Sequence, residues 1–256
     1  MKKTIIGLVI ATLFFTTASY VFAQVRPDQN EARVFSVKPG ETVTHKVSVD
    51  NIGTTPIRVK ASFEDFVYVK PFDGLKELKP LGSTKRSCGK WMIVNPAEFE
   101  LGPGATQTVN CEIKVPADAK GGYNAVLFFE KLSDAVSQEG MGLTLRMGVP
   151  FFVQTINKTH NIALEDLSFT SKNVRGQLHN AGDTFIISEP SFYVMDAAGI
   201  VVDRGKIKKV YMPEQTWVPL LIKFSKEISK GKYNLVVSFD LEGEPALIKE
   251  SEFTIE

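Results

Sequence analysis

The chain is poor in the residues that most often carry chemistry. It has two cysteines, three histidines and two tryptophans in 256 residues. His45, His160 and His179 are far apart, and neither they nor Cys88 and Cys111 have the spacing of a zinc site. No Gly-x-Ser-x-Gly elbow, phosphate-binding loop or dinucleotide fingerprint occurs. Neither a metal nor any other cofactor is expected, and no catalytic constellation is present. Charge of one sign is also lacking, with 30 basic against 29 acidic residues. Such a balance argues against a nucleic acid or other polyanion as partner. No apolar run approaches the ~20 residues of a spanning helix, except a shorter one at the N-terminus.

That N-terminal run has the form of a secretory signal peptide. Lys2 and Lys3 precede an apolar stretch from Thr4 to Thr17, and Val21-Phe22-Ala23 offers a cleavage site before Gln24. Residues 1–23 are therefore expected to be removed on export. The membrane would be met only through this segment, and with no Cys at the cleavage site a lipid-anchored form is not expected. Without Lys2 and Lys3 the 30 basic residues fall to 28, against 29 acidic. In an oxidising compartment two cysteines usually pair, so a Cys88–Cys111 disulfide is expected, with two buried free thiols as the alternative.

The rest reads as strands. Val43, His45, Val47 and Val49 alternate with polar residues over 42–49, the period of a half-buried strand. Strands are expected at 57–69, 91–94, 106–115, 123–129, 141–153 and 162–169, punctuated by Gly and Pro turns. No stretch sustains a 3.6-residue period. This is the pattern of an all-β chain built from β-sandwiches.

An internal repeat divides it. Pro103, Lys120-Gly121, Tyr123-Asn124 and Phe129 recur 110 residues later as Pro213, Lys230-Gly231, Tyr233-Asn234 and Phe239. Asn51-Ile52-Gly53 recurs 129 residues later as Asn180-Ala181-Gly182. The difference in offset places extra residues in the first copy, with the Gly- and Pro-rich segment 70–90 as the natural insertion. Tyr123 and Tyr233 fall where a sandwich secures its corner by bonding the ring hydroxyl to nearby backbone. The expected layout is a signal peptide at 1–23 and two tandem immunoglobulin-like β-sandwich domains at 24–156 and 157–256, joined by a short linker near 155–161.

One segment points to binding. Met141, Leu143, Leu145, Met147, Val149, Phe151 and Val153 form an alternating apolar row in the last strand of the first domain. Such a row can complete a partner's sheet by edge-strand addition, or it can face its own core. Pro150 favours an edge position, because Pro donates no ladder hydrogen bond.

Several motifs make the chain similar to the two-domain periplasmic chaperones of pilus and fimbrial assembly, the PapD-like family. They are Arg33-Val34-Phe35, the strand ending at Asn51, the run from Trp91 through Pro96, Phe99, Leu101, Pro103, Gln107 and Val109, Gly122-Tyr123, and Val149-Pro150-Phe151-Phe152-Val153. The resemblance implies a periplasmic chaperone whose partner is a secreted or pilus-type protein subunit. It also implies that Arg33 and Arg146 anchor the subunit's C-terminal carboxylate while Met141, Leu143, Leu145 and Met147 are donated to its sheet. The alternative is a non-catalytic structural or adhesive envelope module.

Overall fold

The structure, a computed structural model, describes residues 24–28, 33–132, 145–241 and 244–256. The expected signal peptide, Met141 and Leu143 lie outside the described residues. The first ten strands are β1 (Val25–Pro27), β2 (Arg33–Val37), β3 (Thr42–Asn51), β4 (Ile57–Tyr68), β5 (Lys76–Lys79), β6 (Met92–Asn95), β7 (Glu98–Leu101), β8 (Thr106–Lys114), β9 (Gly122–Leu132) and β10 (Arg146–Thr155). They form one sheet in the order β1-β3-β8-β6 and a second in the order β2-β10-β9-β4-β5, with β7 also paired to β4. Between the sheets lies a core that includes Val47, Val49, Val59, Val109, Ile113, Leu127, Phe129, Val149, Phe151 and Val153. These residues recur at every second position of their strands because successive side chains point to opposite faces of a sheet. Each fully buried aliphatic side chain contributes about 1.5–3 kcal/mol relative to exposure.

The remaining strands are β11 (Ile162–Phe169), β12 (Asn173–Asn180), β13 (Ile186–Ser188), β14 (Ser191–Asp196), β15 (Val201–Lys206), β16 (Val210–Met212), β17 (Thr216–Lys223), β18 (Gly231–Leu241) and β19 (Glu244–Ile255). Sheets β11-β12-β17 and β15-β14-β18-β19, with the small pair β13-β16, enclose a second core. In β17, Val218, Leu220 and Ile222 are buried while Trp217 and Leu221 are exposed. Two tandem immunoglobulin-like sandwiches are thus the architecture, and the expected strands fall on observed ones.

The repeat is chemical as well as sequential. The buried Asn51 side-chain amide donates to the carbonyls of Thr55 (2.8 Å), Leu101 (3.1 Å) and Gly102 (3.1 Å), and its Oδ1 accepts from Gly53 N (2.9 Å). Asn180 repeats the set with Thr184 (2.8 Å), Met212 (3.0 Å), Pro213 (3.1 Å) and Gly182 N (3.1 Å). Gly102 therefore corresponds to Pro213, one residue away from the Pro103–Pro213 match. The turn residues agree: Gly104 at φ 68° and Gln215 at φ 55° each donate N–H to the respective Asn carbonyl. The corner tyrosines act as expected. Tyr123 Oη accepts from Lys120 N (3.2 Å) and Tyr233 Oη donates to Ser229 O (2.9 Å).

The expected disulfide is corrected. Cys88 and Cys111 are free and buried. Cys88 precedes a 3₁₀ turn at Gly89–Trp91 and places Sγ 3.9 Å from Met92 Sδ, while Cys111 lies in β8 opposite Val94 and His45. Both occupy apolar core positions instead of bridging. Burial pushes the Cys111 thiol up to about 12 and raises Cys88 further, with Asp65 adding to the shift, so neither is a ready thiolate.

Two outcomes follow from these contacts. A thiol reagent should titrate no cysteine in the native protein and two after denaturation. One fast-reacting native thiol would contradict the buried placement. Asn51→Ala and Asn180→Ala should each cost about 1–3 kcal/mol by orphaning buried carbonyls, seen as a lowered midpoint of thermal unfolding, whereas an exposed change such as Lys60→Ala should leave it unmoved.

Candidate partner-binding edge

Strand β10 has unequal edges. On one side β9 pairs with it antiparallel from Arg146–Glu130 to Gln154–Gly122. On the other, β2 runs parallel to it only from Phe151–Arg33 to Thr155–Val37. Among the described residues, no strand pairs with the second edge of Arg146–Pro150. Pro150 falls in that open half.

The apolar row divides at the same point. Val149, Phe151 and Val153 are fully buried in the first core. Met147 is half-buried, and Leu145 is 39% exposed. The row thus divides: its C-terminal half is core, and its side chains become more exposed toward Met147 and Leu145.

The two arginines are not brought together. Arg33 pairs with Phe151, whereas Arg146 lies five residues earlier on β10, about 16 Å along the strand. They also point to opposite faces of the sheet. Arg146 makes a two-pronged ion pair with Glu64, its Nη2 at 3.2 Å from Oε2 and its Nη1 on Oε1. The same guanidinium covers the Phe128 ring at 4.1 Å. A paired and stacked Arg is held in place by geometry as much as by charge.

Arg33 is different. Among the described residues its buried Nε has no hydrogen-bond partner, and neither has buried Nε2 of His45. His45 meets the rings of Phe35 (5.2 Å) and Phe151 (6.0 Å) edge-on. Burial, and then the charge of Arg33, lower the His45 pKa, against a smaller opposing effect of Asp28. His45 was legible in the sequence only as an inward position of β3. Its place beside Arg33 comes from the packing of β3 against β2, which share no local sequence signal.

The segment 70–90 is drawn onto the second domain. Phe72 O accepts from Tyr211 N (3.1 Å), Arg86 Nε bonds Glu214 (2.7 Å), and Asp73 lies 3.7 Å from Lys208. Buried Asp65 holds the segment's base through Thr84 N (2.9 Å), Thr84 Oγ1 (3.1 Å) and Ser87 Oγ (2.6 Å). Phe152 of β10 packs on Phe185 at 4.3 Å between centroids. Among the described residues, no cluster of three metal-ligating side chains occurs, and no helix is long and apolar enough to cross a membrane.

No family model and no curated protein matches this sequence. Solved structures do. A chain from a chaperone–tip adhesin complex of CFA/I fimbriae biogenesis matches with a TM-score of 0.59 at 12% identity, over 90% of this chain and 99% of its own. The class 5 fimbriae chaperone CfaA matches with a TM-score of 0.57 at 12% identity, over 89% of this chain and 98% of its own. The fold is that of the PapD-like assembly chaperones.

His45 generates a pH prediction. A histidine whose folded pKa lies below its unfolded value resists protonation in the native state. Stability is then full above the unfolded value of about 6.5 and falls as pH drops below it. His160, also lowered, mainly by burial, acts in the same direction. The thermal midpoint of the wild type should therefore fall between pH 7 and 5, and His45→Phe should lose less over the same range. Equal losses would show that His45 is not held neutral.

Proposed function

We propose that this chain is a non-catalytic periplasmic chaperone that binds secreted, pilus-type subunits by lending them the open edge of β10. The observation that carries this reading is the stretch Arg146–Pro150, whose second edge no strand pairs among the described residues, with Leu145 and Met147 rising out of the core beside it. Backbone N–H and C=O groups on a free edge supply affinity for any extended segment, and side chains at alternate positions supply selectivity. Met141 and Leu143 continue the row by sequence and belong to the same proposal.

The fold supports the reading, since it is shared with proteins described as a fimbrial chaperone and as part of a chaperone–tip adhesin complex. In this proposal the chain is exported, loses residues 1–23, and divides into domains 24–156 and 157–256. Arg33 receives a carboxylate of the subunit, because its Nε has no partner among the described residues and a guanidinium binds a carboxylate by two parallel hydrogen bonds. Arg146, tied to Glu64 and Phe128, borders the donated edge and contributes to its shape more than to carboxylate capture.

The test is recovery of partners from the periplasm with wild type, Arg33→Ala and Leu145→Asp. Arg33→Ala should reduce recovery at least about tenfold, the scale expected when one member of a hydrogen-bonded charge pair is truncated. Leu145→Asp should do likewise, by placing a charge where an apolar side chain enters the partner's core. Recovery of the same partners in the same amounts by both variants would end the chaperone reading.

A further inference from the structure

Segment 70–90, the end of β4 and the second domain enclose a cavity of about 290 Å³ at the domain junction. Its wall is built of rings: Phe66, Tyr68, Phe72, Phe152 and Phe185. Phe66 and Phe152 meet edge-on at 5.8 Å and Phe152 and Phe185 are tilted together at 4.3 Å, so the rings pack on one another behind the lining; Phe66 and Phe152 are 1% exposed, and half-buried Phe185 is the ring most open to the cavity. An apolar cavity of about 150 Å³ holds one benzene molecule. About twice that volume suits a body of two fused rings, at the small end of the range for ligand pockets.

The charge at the rim is selective. Three charged residues line the cavity: Lys85, Arg86 and Glu214. Arg86 is taken up by Glu214 at 2.7 Å and by Lys120 O at 2.9 Å, with both members of the ion pair about four-fifths buried. Their charges cancel, which leaves exposed Lys85 as the net charge of the lining. Lys76 Nζ also lies over the rings of Phe66 (5.7 Å) and Tyr68 (5.1 Å), so, apart from that ion pair, the aromatic lining is flanked by cations alone and favours a ligand with an apolar ring system and an anionic group.

We infer that the junction cavity binds a small aromatic acid of about two rings, with its carboxylate or sulfonate at Lys85 and its ring body against Phe185. This site is separate from the open edge of β10. It depends on the segment 70–90, which closes the cavity with Phe72, Lys85 and Arg86.

The probe is 2-naphthalenesulfonate, titrated into the full chain at low salt and followed by its fluorescence. Saturable binding at one site per chain is expected. 2-Naphthoate should displace it, and neutral 2-naphthylmethanol should compete about tenfold less well, the scale of a charge-assisted contact. Lys85→Glu and Phe185→Ala should each weaken the probe at least about tenfold, through lost charge attraction and lost ring contact. Ile248→Asp, on an exposed part of β19, should bind it as wild type does. Thermal unfolding of each variant separates loss of the site from loss of the fold, and exposed Lys85→Glu tests the site even where Phe185→Ala is unstable. Unchanged probe affinity in a folded Lys85→Glu, equal competition by the alcohol, or loss of binding in Ile248→Asp would overturn the assignment.

Discussion

Phe151 and Phe152 are neighbours on β10 that point to opposite faces of the same sheet, and both are buried. Phe151 enters the core of its own sandwich. Phe152 leaves that core and joins the cluster that holds the second sandwich, against Phe66 and Phe185. A strand clamped on both faces cannot shift register, because a slip of one residue would exchange the two rings and turn every alternate side chain to the wrong face. Hydrogen bonds from Gly122 N to Asp183 O (2.9 Å) and from Thr155 N to Gly121 O (2.9 Å) secure the same corner. The junction therefore sets the position of β10, and its other end projects from a fixed base.

Among the described residues, β2 pairs with only part of β10. Five residues of β2 cover Phe151–Thr155, and Arg146–Pro150 has no such cover among the described residues. An open edge invites indiscriminate pairing, and proteins restrain it with Pro and with charge. Pro150 and Arg146 stand in the open half here.

The polar groups sort by a single rule, that a buried donor or acceptor needs a partner. Asn51, Asn180 and Asp65 are buried and saturated, and each ties a turn or segment to the sandwich. Among the described residues, Arg33 Nε and His45 Nε2 break the rule in the first sandwich, as do His179 Nε2, Thr184 Oγ1, Ser188 Oγ and Asn234 Oδ1 in the second. Binding sites are a common place for such exceptions. The cysteines follow a different rule. A thiol buried among apolar side chains behaves as a small hydrophobe, and Cys88 and Cys111 both fill core positions.

The all-β class, the tandem arrangement and the corner tyrosines were legible in the sequence alone. They rest on period-two alternation and on a repeat, and both are local. The Asn51 and Asn180 turns were visible as motifs, but their bonding, and the one-residue slip in the proline match, needed the chain to return from 50 and 32 residues away. The free thiols, the separation of Arg33 from Arg146 and the nearness of Arg33 to His45 were decided only by tertiary structure. So was the division of the apolar row into buried and more exposed halves. Periodicity determines which side of a strand is apolar. Whether that side meets its own core, another domain or an open edge depends on which strands lie beside it, and that is set by contacts between residues far apart in the chain.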